Sequence, residues 1–127
     1  MTKEFIRTTR APLPVGRYSQ AIKAGSFLFV AGQGPFDPKT GKMAGDEIES
    51  QTHQTLQNIK AIVEASGFTL QNVVMISVFL KNSDDFKKMN EVYKGFFSEN
   101  LPTRTTVAAG FVTSGMLIEV NAIVYRE

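Results

Sequence analysis

Eight consecutive residues, Val73 to Leu80 (VVMISVFL), contain one hydroxyl and no charge. They show neither the alternation of a half-exposed strand nor the length of a membrane span, which needs about 20 apolar residues. Branched side chains dominate the run. That combination fits a central strand covered on both faces, and it obliges the rest of the chain to supply the cover.

The segments on either side meet that need. From Asp46, a candidate N-cap, Ile48, Thr52, Leu56, Ile59, Ile62 and Val63 recur at spacings of three and four, up to Gly67, a candidate C′ residue. The opposite stripe, Glu49, His53, Gln57, Lys60 and Glu64, is polar and suits water. Beyond the strand, Ser83 is a candidate cap with Asp84 and Asp85 in the first turn. Phe86, Met89, Val92, Tyr93, Phe96 and Phe97 then form an apolar face that ends before Pro102.

Shorter elements complete the order. Phe5 to Thr8 reads as a short first strand, and Ala21–Ala24 and Phe27–Ala31 as a hairpin around Gly25-Ser26. Thr103 to Ala109 and Leu117 to Tyr125 read as closing strands. The sum is β-β-β-α-β-α-β-β, an α+β two-layer sandwich of a mixed sheet with both helices on one face. At 127 residues one domain over residues 1–127 is expected, since domains cluster at roughly 100–150 residues. The second sheet face looks too apolar for water, with Ile118, Val120, Ala122 and Val124 in its last strand. A homo-oligomer is therefore expected.

Charge and composition narrow the chemistry. Fourteen basic residues face twelve acidic ones, and they are scattered from Lys3 to Arg126, so no nucleic-acid footprint is expected. The absence of cysteine removes thiolate nucleophiles, disulfides and cysteine-based metal sites. The single histidine, His53, lies on the polar stripe of the first helix, so no histidine triad or metal site is expected. With no membrane segment and no apolar leader in the first residues, a cytoplasmic location is expected.

The remaining chemistry concentrates in a few places. Arg104, in LPTRTTV, is a permanently charged fork set among Thr103, Thr105 and Thr106. It answers either to an ion pair or to a ligand carboxylate held by two parallel hydrogen bonds. Glu119, between Ile118 and Val120, shares a strand face with Asn121. It is either Arg104's partner or a carboxylate that holds a water. Asn90 falls on the inner stripe of the second helix and needs a partner, backbone or ligand. Tyr18 and the glycines Gly32 and Gly34 lie at strand ends where pockets form. GQG is not a dinucleotide fingerprint and no phosphate-binding loop motif occurs.

Taken together, VGRYSQA (15–21), VAGQGPFDPKTG (30–41), MNEVYKGFF (89–97), LPTRTTV (101–107) and LIEVNAI (117–123) resemble the Rid family, also written YjgF/YER057c/UK114, and its RidA-type members. The match runs from Phe5 to about Arg126. The resemblance implies a chorismate-mutase-like fold and a homotrimer with pockets at the subunit interfaces. It implies a hydrolase, metal- and cofactor-free, that converts reactive 2-imino acids and enamines, such as 2-aminoacrylate and 2-iminobutanoate, to 2-oxo acids and ammonia. The alternatives are a non-catalytic module for small carboxylates such as 2-oxo acids, and the endoribonuclease or translation-inhibitor label that some relatives carry. Carried onto this chain, the catalytic positions are Arg104 and Glu119. The substrate-binding positions are Tyr18, Gly32, Asn90, Arg104 and Thr106. Many relatives have proline at Arg17, serine at Ala31, and cysteine or another small polar residue at Thr106, so the substrate range is expected to differ.

Overall fold

The computed structural model describes residues 2–127. Six strands form one sheet: β1 (Lys3–Ile6), β2 (Ala21–Ala24), β3 (Phe27–Gln33), β4 (Val73–Leu80), β5 (Thr103–Ala108) and β6 (Ile118–Tyr125). Their order across the sheet is β1-β2-β3-β6-β4-β5. All neighbours are antiparallel except β4 and β5, which run parallel. The sheet is mixed, as expected, and the helices α1 (Ile48–Ala65) and α2 (Phe86–Tyr93) form the second layer. The first strand begins at Lys3 and ends at Ile6, two residues earlier than Phe5 to Thr8. Its ladder to β2 pairs Ile6 with Ala21, after which Thr8 turns away to hydrogen-bond the side chain of Gln20.

Alternation decides which residues meet the helices. Leu28 and Val30 of β3, Ile76, Val78 and Leu80 of β4, and Ile118, Val120, Ala122 and Val124 of β6 are buried against Leu56, Ile59, Ile62, Val63 and Met89. Each such aliphatic side chain withdrawn from water contributes about 1.5–3 kcal/mol. The four β6 residues expected on the uncovered face therefore lie on the helix side. The uncovered face is built by their alternates and neighbours: Phe27, Phe29, Met75, Val107 and Tyr125, all 37–46% exposed. Phe27 stacks near Phe29 and Tyr125, with ring centroids 6.0 and 4.9 Å apart. β4 is interior to the sheet, yet within one chain only one of its faces is covered.

The helix ends differ from the sequence reading in instructive ways. Glu47, not Asp46, occupies the N-cap of α1, and no side chain caps the helix. At the other end Gly67 has φ +88°. Its N–H donates to the Glu64 carbonyl, and the Phe68 N–H donates to that of Val63. This closes the last turn in a Schellman arrangement that needs a left-handed residue. In the second helix, Ser83 opens a short 3-10 turn (Ser83–Asp85) instead of capping. α2 stops at Tyr93, well before Pro102. The N–H groups of Phe96 and Phe97 both donate to the Tyr93 carbonyl, which tightens the chain and folds Phe97 back onto the Tyr93 ring at 4.8 Å.

Three buried amides position the loops. Gln51 Nε2 donates to the carbonyls of Gly45 and Gly115, and its Oε1 accepts from the Leu117 N–H. Asn58 Nδ2 donates to the carbonyls of Gly34 and Phe36. Gln20 Oε1 accepts from the Thr8 N–H, while Nε2 donates to carbonyls of Thr8 and Pro12. An apolar residue at any of these places would strand two or three backbone groups at about 1–3 kcal/mol each. The loops that flank the candidate site are thus tied to the sandwich.

Candidate functional site

Arg104 points from β5 toward α2. Its Nη1 donates to Asn90 Oδ1 at 2.8 Å. The guanidinium carbon lies 4.6 Å from the centroid of the Tyr93 ring and 5.5 Å from that of Phe86. Phe86, Asn90 and Tyr93 stand at i, i+4 and i+7 of α2, so one helical stripe supplies all three contacts. The only ion pair among the described residues joins Lys94 to Glu91. Arg104 is therefore a partly buried cation bedded on an amide and two aromatic faces, with no carboxylate partner. The Asn90 oxygen occupies one of its five donors.

That geometry resolves two open readings. Asn90 is partnered by the Arg104 side chain, which is neither of the expected partners, backbone or ligand. Glu119 is not the ionic partner of Arg104, because the two residues sit on opposite faces of the sheet. Arg104 shares a register position with Ile76 and faces the helices, whereas Glu119 pairs with Phe79 on the uncovered face.

Glu119 has its own setting. A Cβ built on Gly32 would sit 2.4 Å from Glu119 Oε2 and 2.9 Å from its carboxyl carbon. Gly32 lies inside β3, where the register with β6 shifts, and the missing side chain is what lets the carboxylate lie across the neighbouring strand. Burial raises the Glu119 carboxyl above its ordinary 4.5. The folded chain therefore favours the protonated form, so this group's stabilisation is full at acid pH and is lost as pH rises through its folded titration. Glu119→Gln should then lose less stability than the parent as pH rises above 4.5. Thermal midpoints of both proteins across that window check it; parallel curves would refute it.

The other expected residues divide between the two settings. Thr106 is two residues beyond Arg104 on the same side of β5. Tyr18 is half exposed in the loop entering β2, which is tied to β3 where the Ala31 N–H donates to the Gln20 carbonyl at 2.9 Å. Gly34, like Gly32, makes room for side chains: an added Cβ there would meet Phe36 at 2.9 Å and Met116 at 3.1 Å. His53 lies exposed on α1, its ring 5.5 Å from that of Phe96. No cluster of three His, Cys, Asp or Glu side chains suited to a metal occurs among the described residues. No helix among them is long and apolar enough to cross a membrane.

Sequence reasoning placed Tyr93 and Phe86 in the core face and overlooked their part in the arginine's bed. The available signal was the asparagine between them, since a polar residue in an apolar stripe requires a partner nearby. Tyr93 Oη is buried without a hydrogen-bond partner. Burial raises its hydroxyl above the ordinary 10.0, while the charge of Arg104 acts in the opposite direction. With the guanidinium over the ring and no bond within reach of Oη, Arg104 acts on Tyr93 mainly as a nearby charge.

A mixed sheet backed by two helices, with Arg104 on the helix face and a partly buried Glu119 on the other, defines an α+β scaffold. Comparison with known proteins then gives the lineage. The family model described as Endoribonuclease L-PSP matches residues 8–126, and the chain belongs to this family, the YjgF/Rid family that its motifs resemble. A RutC family protein of Pyrococcus horikoshii is 53% identical over 98% of this chain and 99% of its own length. The 2-iminobutanoate/2-iminopropanoate deaminase of Salmonella typhimurium is 40% identical over 96% of this chain and 97% of its own. The crystal structure of Escherichia coli TdcF with bound serine superposes with a TM-score of 0.92 at 36% identity, covering 98% of this chain and 99% of that one.

Proposed function

We propose that this chain is a hydrolytic deaminase of 2-imino acids and their enamine tautomers. The observation that carries the reading is Arg104: a partly buried guanidinium with a neutral bed, four uncommitted donors and no counter-ion. Desolvated cations are ordinarily paired, so the cleft is suited to an anion that arrives with the substrate. A relative named as a 2-iminobutanoate/2-iminopropanoate deaminase and a neighbour with bound serine support a small carboxylate as the ligand.

One chain cannot bring Arg104 and Glu119 to the same substrate, because the sheet separates them. The proposal therefore includes a homotrimer with interfacial sites, in which Arg104, Asn90 and Thr106 of one copy face Glu119, Gly32 and Tyr18 of the next. The exposed aromatic face supports association. The whole domain, residues 1–127, would serve as one subunit, working in the cytoplasm without a cofactor.

The chemistry follows from the parts. Arg104 grips the carboxylate through paired hydrogen bonds and fixes the C=N carbon. A water beside Glu119 attacks that carbon and yields a carbinolamine. Glu119, whose affinity for protons is raised by burial, takes the water's proton and returns it to nitrogen. Collapse of the carbinolamine to the 2-oxo acid expels ammonia, and imine plus water balances oxo acid plus ammonia. Enamines enter after protonation at their β-carbon.

The bound serine of the neighbour also favours a second reading, a module that holds small carboxylates without turning them over. The test is to couple the purified protein to a threonine dehydratase in the presence of semicarbazide, which traps free imine. Deaminase activity consumes the free imine, lowers the yield of semicarbazone and speeds 2-oxobutanoate release. Unchanged trapping alongside measurable 2-oxobutanoate binding would favour the module. Ribonucleolysis, suggested by the family's printed description, is checked by incubating the same preparation with RNA.

A further inference from the structure

Beside the arginine lies a groove of about 260 Å³, lined by Leu80, Ser83, Phe86, Thr106, Val107 and Ala108. Phe86 is common to both features: one wall of the groove is the ring under the Arg104 guanidinium. Thr106 and Ala108 continue the face of β5 on which Arg104 stands. A molecule held by its carboxylate on Arg104 would therefore have this groove next to its α-carbon.

The lining is apolar apart from the hydroxyls of Ser83 and Thr106, and it contains no charge. Its volume falls below the roughly 300–1,000 Å³ of pockets that take a whole ligand, so it suits a side chain and not a second molecule. We infer that the Phe86–Thr106–Ala108 groove is the subsite for the substrate's side chain, and that it selects 2-imino and 2-oxo acids with extended aliphatic groups over the shortest ones. The inference rests on the reading of Arg104 as the carboxylate clamp and adds the specificity of that site.

Titration with a series of 2-oxo acids tests the subsite apart from turnover. The probes are pyruvate, 2-oxobutanoate, 2-oxopentanoate and 4-methyl-2-oxopentanoate, with 2-oxoglutarate as the charged control. Complete burial of a methylene corresponds to about fourfold in affinity. A half-open groove should give about two- to fourfold per added carbon. 2-Oxoglutarate should bind no tighter than pyruvate, because no cation lines the groove to repay desolvation of its second carboxylate.

Ala108→Phe, which fills the groove from the strand side, should flatten the series and abolish the preference for 4-methyl-2-oxopentanoate over pyruvate, about 8- to 64-fold at two- to fourfold for each of three added carbons. Circular dichroism of the variant, and the milder Ala108→Val with an intermediate slope, separate a filled groove from a misfolded chain. Affinity that is flat or falls with chain length in the parent protein overturns the inference, as does an unchanged slope in folded Ala108→Phe. Binding of no 2-oxo acid at all overturns both the clamp and the groove. A rising series without imine hydrolysis removes the deaminase reading and leaves the subsite standing.

Discussion

Arg104→Ala should lower kcat/KM for imine hydrolysis by roughly 30- to 5,000-fold, the range that corresponds to about 2–5 kcal/mol for removing one member of a desolvated charge pair. The loss should appear in binding and in turnover, since the same contact holds the substrate and aims its carbon. Arg104→Lys should recover only part of the rate. An ammonium offers a point charge where the fork offers two parallel bonds, and it cannot lie flat on Tyr93 while reaching Asn90. Stability should fall by no more than about 1–3 kcal/mol, because Asn90 Oδ1 loses its partner while no ionic partner is stranded. Semicarbazide-trapping kinetics with both variants decide the matter: hydrolysis by Arg104→Ala at the parent's rate would end the clamp's assigned role.

Gly32→Ala carries the second large effect, and it acts at a distance from any bond the glycine itself makes. The added methyl would lie 2.4 Å from Glu119 Oε2 and 2.9 Å from its carboxyl carbon. The carboxylate can swing aside, because it is the end of a flexible side chain, so the fold should tolerate the change. The proposed base would then stand an ångström or more from its water, and a misplacement of that size can cost on the order of 100-fold in rate. Gly32→Ala should therefore resemble Glu119→Ala in activity while keeping nearly the parent's melting temperature. A fully active Gly32→Ala would show that the observed position of Glu119 is not the one that matters.

Much of the scaffold could be read from the sequence because its signals are local. The 3.6-residue stripe from Ile48 to Val63, the left-handed glycine at 67 and the hairpin at Gly25-Ser26 each record their own geometry in neighbouring residues. The early end of α2 could not be read this way. The apolar spacing continues through Phe96 and Phe97, and only the return of Phe97 onto Tyr93 shows that the same residues pack in a non-helical turn. The exposed sheet face was assigned to the wrong alternates of β6, since apolar residues occupy both sides of that strand and alternation alone does not say which side the helices take. Within the site, the motifs named Arg104, Asn90, Glu119 and Gly32. The pairing of Arg104 with Asn90, and of Gly32 with Glu119, joins residues 14 and 87 positions apart in the chain, and only the packing of α2 on β5 and the register of β3 with β6 reveal it.

The division of Arg104 and Glu119 between opposite faces reaches beyond the reaction itself. In the proposed assembly a lone polypeptide owns two incomplete halves, so the chemistry appears only once copies have met. Dilution, or any lesion that loosens the aromatic face, would silence the protein without altering a single reacting group, and its output would fall more steeply than its abundance.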